Sequence, residues 1–328
     1  KKPESLGWFM KFMKSMREPM GRIYADLGEP VIVNTAPDPD DKLGLSKIAF
    51  NVAVNANKAT PITLTSLMCY FLLLSAPRGM TGSELQLVFP KTLQWALDRD
   101  LRLAGDLASA SEERVEKTLN LLIERGVIER HEDARERIYV VNPDKHAQAS
   151  YYRNTIIHHF LPTATIELAL LKAIEAPRES ADQVFWDEVY WLRNLFKFEF
   201  FYSSKDEYRS EIENELERSN NNWETLLRGT KGQRKKLLHS FVPVTPHGVF
   251  AQFTEAYMTV FDILTRLRSG DEISKTDCIA QALEEGRRSY LLRRVRSGAS
   301  ISKTLYANAF KFAENLELTQ KTTPKITI

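Results

Sequence analysis

The side chains best equipped for chemistry gather at the head of Ser150–Glu175. Tyr151, Tyr152, Arg153, Asn154, His158 and His159 precede or interrupt an apolar run from Ile156 through Phe160 and Leu161 to Ile174. An arginine fork can grip a phosphate or a carboxylate with two parallel hydrogen bonds, and neighbouring tyrosine and asparagine add donors and acceptors. Tyr152, Arg153 and Asn154 are therefore the candidate substrate-binding residues. A buried arginine needs a partner, so the same three read equally as a polar strut at a domain interface.

Acid–base chemistry on a hydroxyl needs a base beside it, often histidine oriented by a carboxylate. One compact solution places aspartate five positions after histidine. The six histidines are followed at that distance by Glu136, Tyr151, Thr163, Ala164, Val244 and Gln252. No such pair is present, so no catalytic residue is assigned. Gly229-Thr230-Lys231-Gly232 lacks phosphate-loop spacing and follows no strand. No histidine has metal-site company, and no cofactor or metal is expected.

The elements that must carry these groups are mostly helices. Hydrophobic residues make up 43% and charged residues 27% of 328 positions, as in a folded soluble protein. A net charge of +2 argues for no polyanionic partner. Cys69 and Cys278 sit in apolar helical contexts and read as reduced core residues. The longest uncharged apolar run, Ser66–Ala76, is too short to span a bilayer. Lys1 opens inside an amphipathic pattern, which is expected of a piece of something longer.

Trp8, Phe9, Phe12 and Met13 fall on one helical face, with Lys11, Lys14 and Arg17 toward the other. They fit a helix packed on a sheet, or an interfacial membrane helix. Arg22–Ala25 and Val31–Val33 read as short strands around a Gly28-Glu29-Pro30 turn, too few to make a sheet unaided. Helices are expected at 45–59, about 61–76, 81–89, 91–103 and 111–125. Gly126 ends the last, and a hairpin follows at 127–141. That order over 61–141 resembles a winged helix, whose alternative function is DNA-binding regulation. Glu112, Glu113, Glu116 and Glu124 on the reading helix deny it the basic stripe that phosphates need.

Pro162 should break the central helix into halves. Further helices are expected at 184–196, 205–218, 250–269, 274–297 and 300–315. Phe198–Phe201 should be extended, and 220–236 polar and loop-rich. Arg293 and Arg294, in a cluster with Arg287, Arg288 and Arg296, are candidate contacts to lipid headgroups, or a solvated face paired with Glu284 and Glu285.

Five segments in order resemble the bacterial glycerol-3-phosphate acyltransferases of actinobacterial type. They are Gly21-Arg22-Ile23-Tyr24 with Gly28-Glu29-Pro30; Lys47–Phe50 with Thr60–Thr63; Tyr151–Thr155; Leu195–Phe200; and Gly286-Arg287 with Leu291–Ser297. The resemblance implies the C-terminal portion of such an enzyme, lacking the family's His/Asp, arginine and Pro-Glu-Gly motifs and inactive alone. It implies partners: an upstream catalytic domain, acyl-CoA or acyl-carrier protein, glycerol 3-phosphate and the cytoplasmic membrane surface, with no nucleic acid. Leu27 and Asn55–Lys58 depart from the pattern, which leaves room for a relative acting on dihydroxyacetone phosphate.

The expected fold is mainly α. Residues 1–36 would form the last helix and strands of an α/β acyltransferase domain. Residues 37–318 would form a multi-helix domain with the winged-helix-like unit at 61–141, and 319–328 a disordered tail.

Overall fold

A computed structural model describes residues 7, 9, 10, 13, 24–35, 38, 40–105, 107–132, 136–241, 246–268, 271–316 and 325–327. The chain is mainly helical, as its periodicity implies.

Two helices are apolar on nearly every face and form the centre. Helix α2 (Leu64–Ser75), after α1 (Lys42–Ala59), buries Ser66 through Leu74. It starts where Thr63 and Ser66 exchange hydrogen bonds as a capping box. Strand β1 (Met80–Thr81), helix α3 (Gly82–Leu97), helix α4 (Glu112–Glu124), strand β2 (Ile128–Glu132) and strand β3 (Arg137–Val141) complete the winged unit. Its antiparallel sheet runs β1-β3-β2, so β1 pairs with the far strand of the hairpin. Two residues carry no readable strand pattern, and sequence alone missed β1.

Pro90 does not divide α3 into the two helices expected. It sits inside one helix, and it and Gln86 are exposed. Water can satisfy the Gln86 carbonyl that Pro90 cannot serve. The helix stops at Leu97, and Leu103 instead bridges to Ile62.

Helix α5 (His146–Asn154) leads through a tight turn at Ile157–Phe160 into α6 (Leu161–Glu175). The central segment is thus split, but upstream of Pro162. That proline lies in the first turn of α6, where a missing N–H costs nothing. Phe160 is stacked between Tyr70 and Trp95, at 4.2 and 4.6 Å, tying the turn to α2 and α3.

Around α6 pack α7 (Ala181–Leu195), α8 (Lys205–Ser219), α10 (Lys231–Leu238) and α11 (Pro246–Leu264), with short α9 (Trp223–Leu227) beside α10. The stretch read as loop-rich thus holds two helices. Thr230 and Gln233 form a capping box that nucleates α10 despite its polarity. Phe198–Phe201 is not extended either. Most of it lies within a turn in which the Phe200 N–H donates to the Phe196 carbonyl, and Phe196 stacks on Phe250 at 4.8 Å. Aromatic burial outweighs the alternating pattern there.

Helix α12 (Lys275–Leu291) and helix α13 (Lys303–Asn315) close the fold against α11. Gly286 lets them approach, since a Cβ there would lie 2.2 Å from Tyr306 Oη. Strand β4 (Glu272–Ser274) pairs with β5 (Lys325–Thr327), inside the stretch expected as a disordered tail.

Residues 24–33, expected to hold strand segments, pair with no strand among the described residues. Asn55 Nδ2 donates to the Glu29 carbonyl at 2.8 Å and Arg102 Nη1 to the Leu27 carbonyl at 2.9 Å. Side chains, not a ladder, satisfy these backbone groups. Arg22 and Ile23 lie outside the described residues.

Candidate functional site

Arg153 projects from α5 toward α2 and is buried. Its Nε and Nη2 donate to Asn154 Oδ1 at 3.2 and 2.8 Å. No carboxylate pairs with it among the described residues. Burial lowers the guanidinium's affinity for its proton to a pKa of about 10, offset by Tyr70 and Cys69 of α2. Tyr152 is half-buried against the core, while Asn154 is exposed and turns its Oδ1 back to Arg153.

Tertiary packing adds partners that sequence reasoning missed. Arg153, Gln252, Glu255, Arg296 and Ser297 surround a cavity of about 20 Å³, room for one water and too small for a phosphate. Glu255 Oε2 accepts from Ser300 Oγ at 2.6 Å and its Oε1 from the Arg296 N–H at 3.0 Å. His146 Nδ1 meets Ser297 Oγ at 2.9 Å. Two segments singled out above, Tyr151–Thr155 and Leu291–Ser297, therefore converge on one polar node between α5, α11 and the end of α12. The spacing of Gln252 and Glu255 gave no signal, because only the fold brings α11 to α5.

A larger cleft, about 360 Å³, lies between α1, the His158–His159 turn and α8. Burial is the main reason both imidazoles stay neutral. His158 is pushed down to about 3, with neighbouring His159 adding to the effect, and His159 is lowered too. His159 Nε2 meets the Thr60 carbonyl at 3.2 Å. Of the cleft's two acids, Glu211 has its carboxyl pushed up by burial and Glu215 is already engaged. Its oxygens take a bidentate fork from Arg99 at 2.9 and 2.6 Å and a third bond from Thr163 Oγ1 at 2.7 Å. Among the described residues no hydrogen bond joins His158 or His159 to a carboxylate that would orient it as a base. Among the described residues no group of three His, Cys, Asp or Glu could hold a metal ion.

The winged unit pairs some of its charges across its own surface. Arg137 of β3 pairs with Glu116 of α4 at 2.6 Å, and Arg130 of β2 meets Asn120 at 3.2 Å. These contacts tie the hairpin to the acidic helix α4.

Of the candidate membrane residues, Trp8 and Phe12 lie outside the described residues. Phe9 and Met13 are helical and exposed, as are the side chains of Arg293 and Arg294 beyond α12. No helix among the described residues is long and apolar enough to cross a membrane. Cys69 and Cys278 are free and buried, and burial pushes their thiols up to about 12 and 11.

Residues 1–322 match the family described as the glycerol-3-phosphate acyltransferase C-terminal region. Proteins named as acyltransferase plsB1, from Mycobacterium bovis and from two strains of Mycobacterium tuberculosis, are each 28% identical over 326 residues. The alignment takes in 97% of this chain and 52% of each relative. The chain thus spans about half the length of the curated relatives it matches.

Proposed function

The chain belongs to the glycerol-3-phosphate acyltransferase C-terminal family, and from that premise we propose that it is the helical buttress of an enzyme acylating glycerol 3-phosphate. The donor is acyl-CoA or acyl-carrier protein, and the site of action is the cytoplasmic face of the membrane. The single observation that carries this reading is the family match across residues 1–322. In the reaction, the hydroxyl oxygen attacks the thioester carbonyl, a base takes its proton, the C–S bond breaks and the thiol leaves. The base lies in a catalytic domain outside this chain, and the chain alone does not turn over substrate.

What this chain contributes is a face for that domain. Leu27 is 90% and Ile32 78% exposed, and Leu45, Phe50 and Val52 of α1, the helix that holds this strap through Asn55, are exposed too. An apolar strap lying with an apolar helix over so much uncovered area is the mark of an interaction surface. The relatives carry about as much chain again outside the aligned part, enough for the domain that covers it. Nucleic acid has no part in this reading.

The test uses the longer protein. Phe50→Asp with Val52→Asp should abolish acyl transfer and free the two parts to limited proteolysis, while far-UV circular dichroism stays unchanged. Unaltered activity overturns the docking role. Dihydroxyacetone phosphate is offered as a competing acceptor, and a preference for it overturns the substrate assignment.

A further inference from the structure

Two helices of this fold end in the same turn, made from different residues. At the end of α4 the Gly126 N–H donates to the Ile123 carbonyl at 2.8 Å and the Val127 N–H to the Leu122 carbonyl at 2.9 Å, with Gly126 at φ +66°. At the end of α12 the Arg293 N–H donates to the Tyr290 carbonyl at 2.9 Å and the Arg294 N–H to the Ser289 carbonyl at 2.8 Å, with Arg293 at φ +56°. Both are Schellman turns, whose left-handed position favours glycine because a Cβ is disfavoured there. An arginine held in that conformation points from strain to use.

The turn is built as a tip. Leu291 is 82% and Leu292 52% exposed, side by side, while Val295 just beyond is buried and pulls the chain back. Arg287 and Arg288 stand one helical turn before the leucines, on the same faces, and Arg293 and Arg294 follow them. All four arginines are exposed. Among the described residues Arg288 pairs with Glu285, at 3.7 Å, and that glutamate is shared with Arg266. Arg293 and Arg294 have no ion pair among the described residues.

We propose that Leu291–Arg294 is a membrane-contact tip: Leu291 and Leu292 enter the headgroup layer of an anionic bilayer while Arg287, Arg288, Arg293 and Arg294 hold lipid phosphates. Apolar side chains ringed by exposed cations need a partner that is apolar within and anionic at its surface, and a bilayer of acidic lipid offers both at the right depth. A nucleic acid leaves the leucines in water. This deepens the membrane location proposed above and rests on it.

The test floats the full chain, and the longer protein, with phosphatidylcholine vesicles containing or lacking phosphatidylglycerol. The parent should bind only the anionic vesicles, and less as salt rises. Arg293→Gln with Arg294→Gln should weaken binding about 25-fold, at about fivefold per arginine. Leu291→Ser with Leu292→Ser should weaken it at every salt concentration. Arg293→Gly is the discriminating variant. It should melt above the parent, because glycine suits the turn, yet bind about fivefold more weakly. Lys235→Gln with Lys236→Gln, on α10, should change nothing.

The proposal is overturned by no parental binding to anionic vesicles, by undiminished binding of the tip variants, or by equal loss from the α10 variant. It is also overturned by a tip that ignores vesicles but becomes protected from hydrogen exchange only within the longer protein, which makes its partner a protein. Acyl transfer is followed separately with a short, water-soluble donor. Its absence in a parent that still binds vesicles defeats the acyltransferase reading and leaves the tip standing. Its loss in Leu291→Ser with Leu292→Ser assigns the tip to catalysis and overturns the membrane role.

Discussion

Glu199 offers a quantitative test of how the aromatic turn is built. Burial, only partly offset by Asn308 and Tyr257, raises its carboxyl from 4.5 to about 7. A carboxyl raised on folding is one the fold prefers protonated. Its contribution is intact below about pH 4.5, the unfolded value, and is lost as pH rises through the folded value of about 7. From pH 5 to pH 8 that linkage removes about 2 kcal/mol after allowance for the partly exposed edge of the group. For a chain of this size the loss is about 3 °C in Tm. Glu199→Gln keeps the shape and removes the ionisation. Parent and variant should differ by under about 1 kcal/mol at pH 5, with the variant ahead by about 2 kcal/mol more at pH 8. Urea melts followed by circular dichroism at intervals across that range read the difference directly, since other titrating groups cancel between the two proteins. A difference that does not grow with pH refutes the placement of Glu199 in a low-dielectric turn.

Other sites give sharper single-point outcomes. Glu215→Ala strands the buried Arg99 fork and should cost about 3–5 kcal/mol, read from urea midpoints, whereas a loss below about 1 kcal/mol makes the pair solvent-screened. Gly286→Ala forces a methyl against the buried Tyr306 hydroxyl and should destabilise by about 1–3 kcal/mol. Pairing it with Tyr306→Phe should recover part of that loss. His158 is held neutral down to about pH 3, so the unfolded chain takes up its proton first on acidification. The imidazole should therefore cost the parent about 2–3 kcal/mol between pH 7 and pH 4.5, and His158→Asn should lose none of this. If that variant keeps the parental acid sensitivity, the imidazole is not the cause.

Much of this molecule was legible in its residues. Apolar density marked α2 and α6 as interior helices, Gly126 marked the end of α4, and a helix followed by alternating hairpin strands marked the winged unit. These are local signals, because periodicity and caps act within a turn or two of the chain. Five ordered segments carried the family resemblance for the same reason, each a short run readable where it stands. What resisted reading depended on distant partners. Strand β1 exists because β3 arrives beside it. The helix at Pro90 continues because water reaches the carbonyl the proline leaves free. Residues 24–33 pair with no strand among the described residues, and Asn55 and Arg102 take the Glu29 and Leu27 carbonyls instead. The node joining Arg153 to Glu255 and Ser297, and the leucine tip bent outward at Arg293, are likewise invisible in spacing. Sequence periodicity says which face of a helix is apolar, but the packing of other helices decides whether that face is covered, and so which side chains remain for a partner.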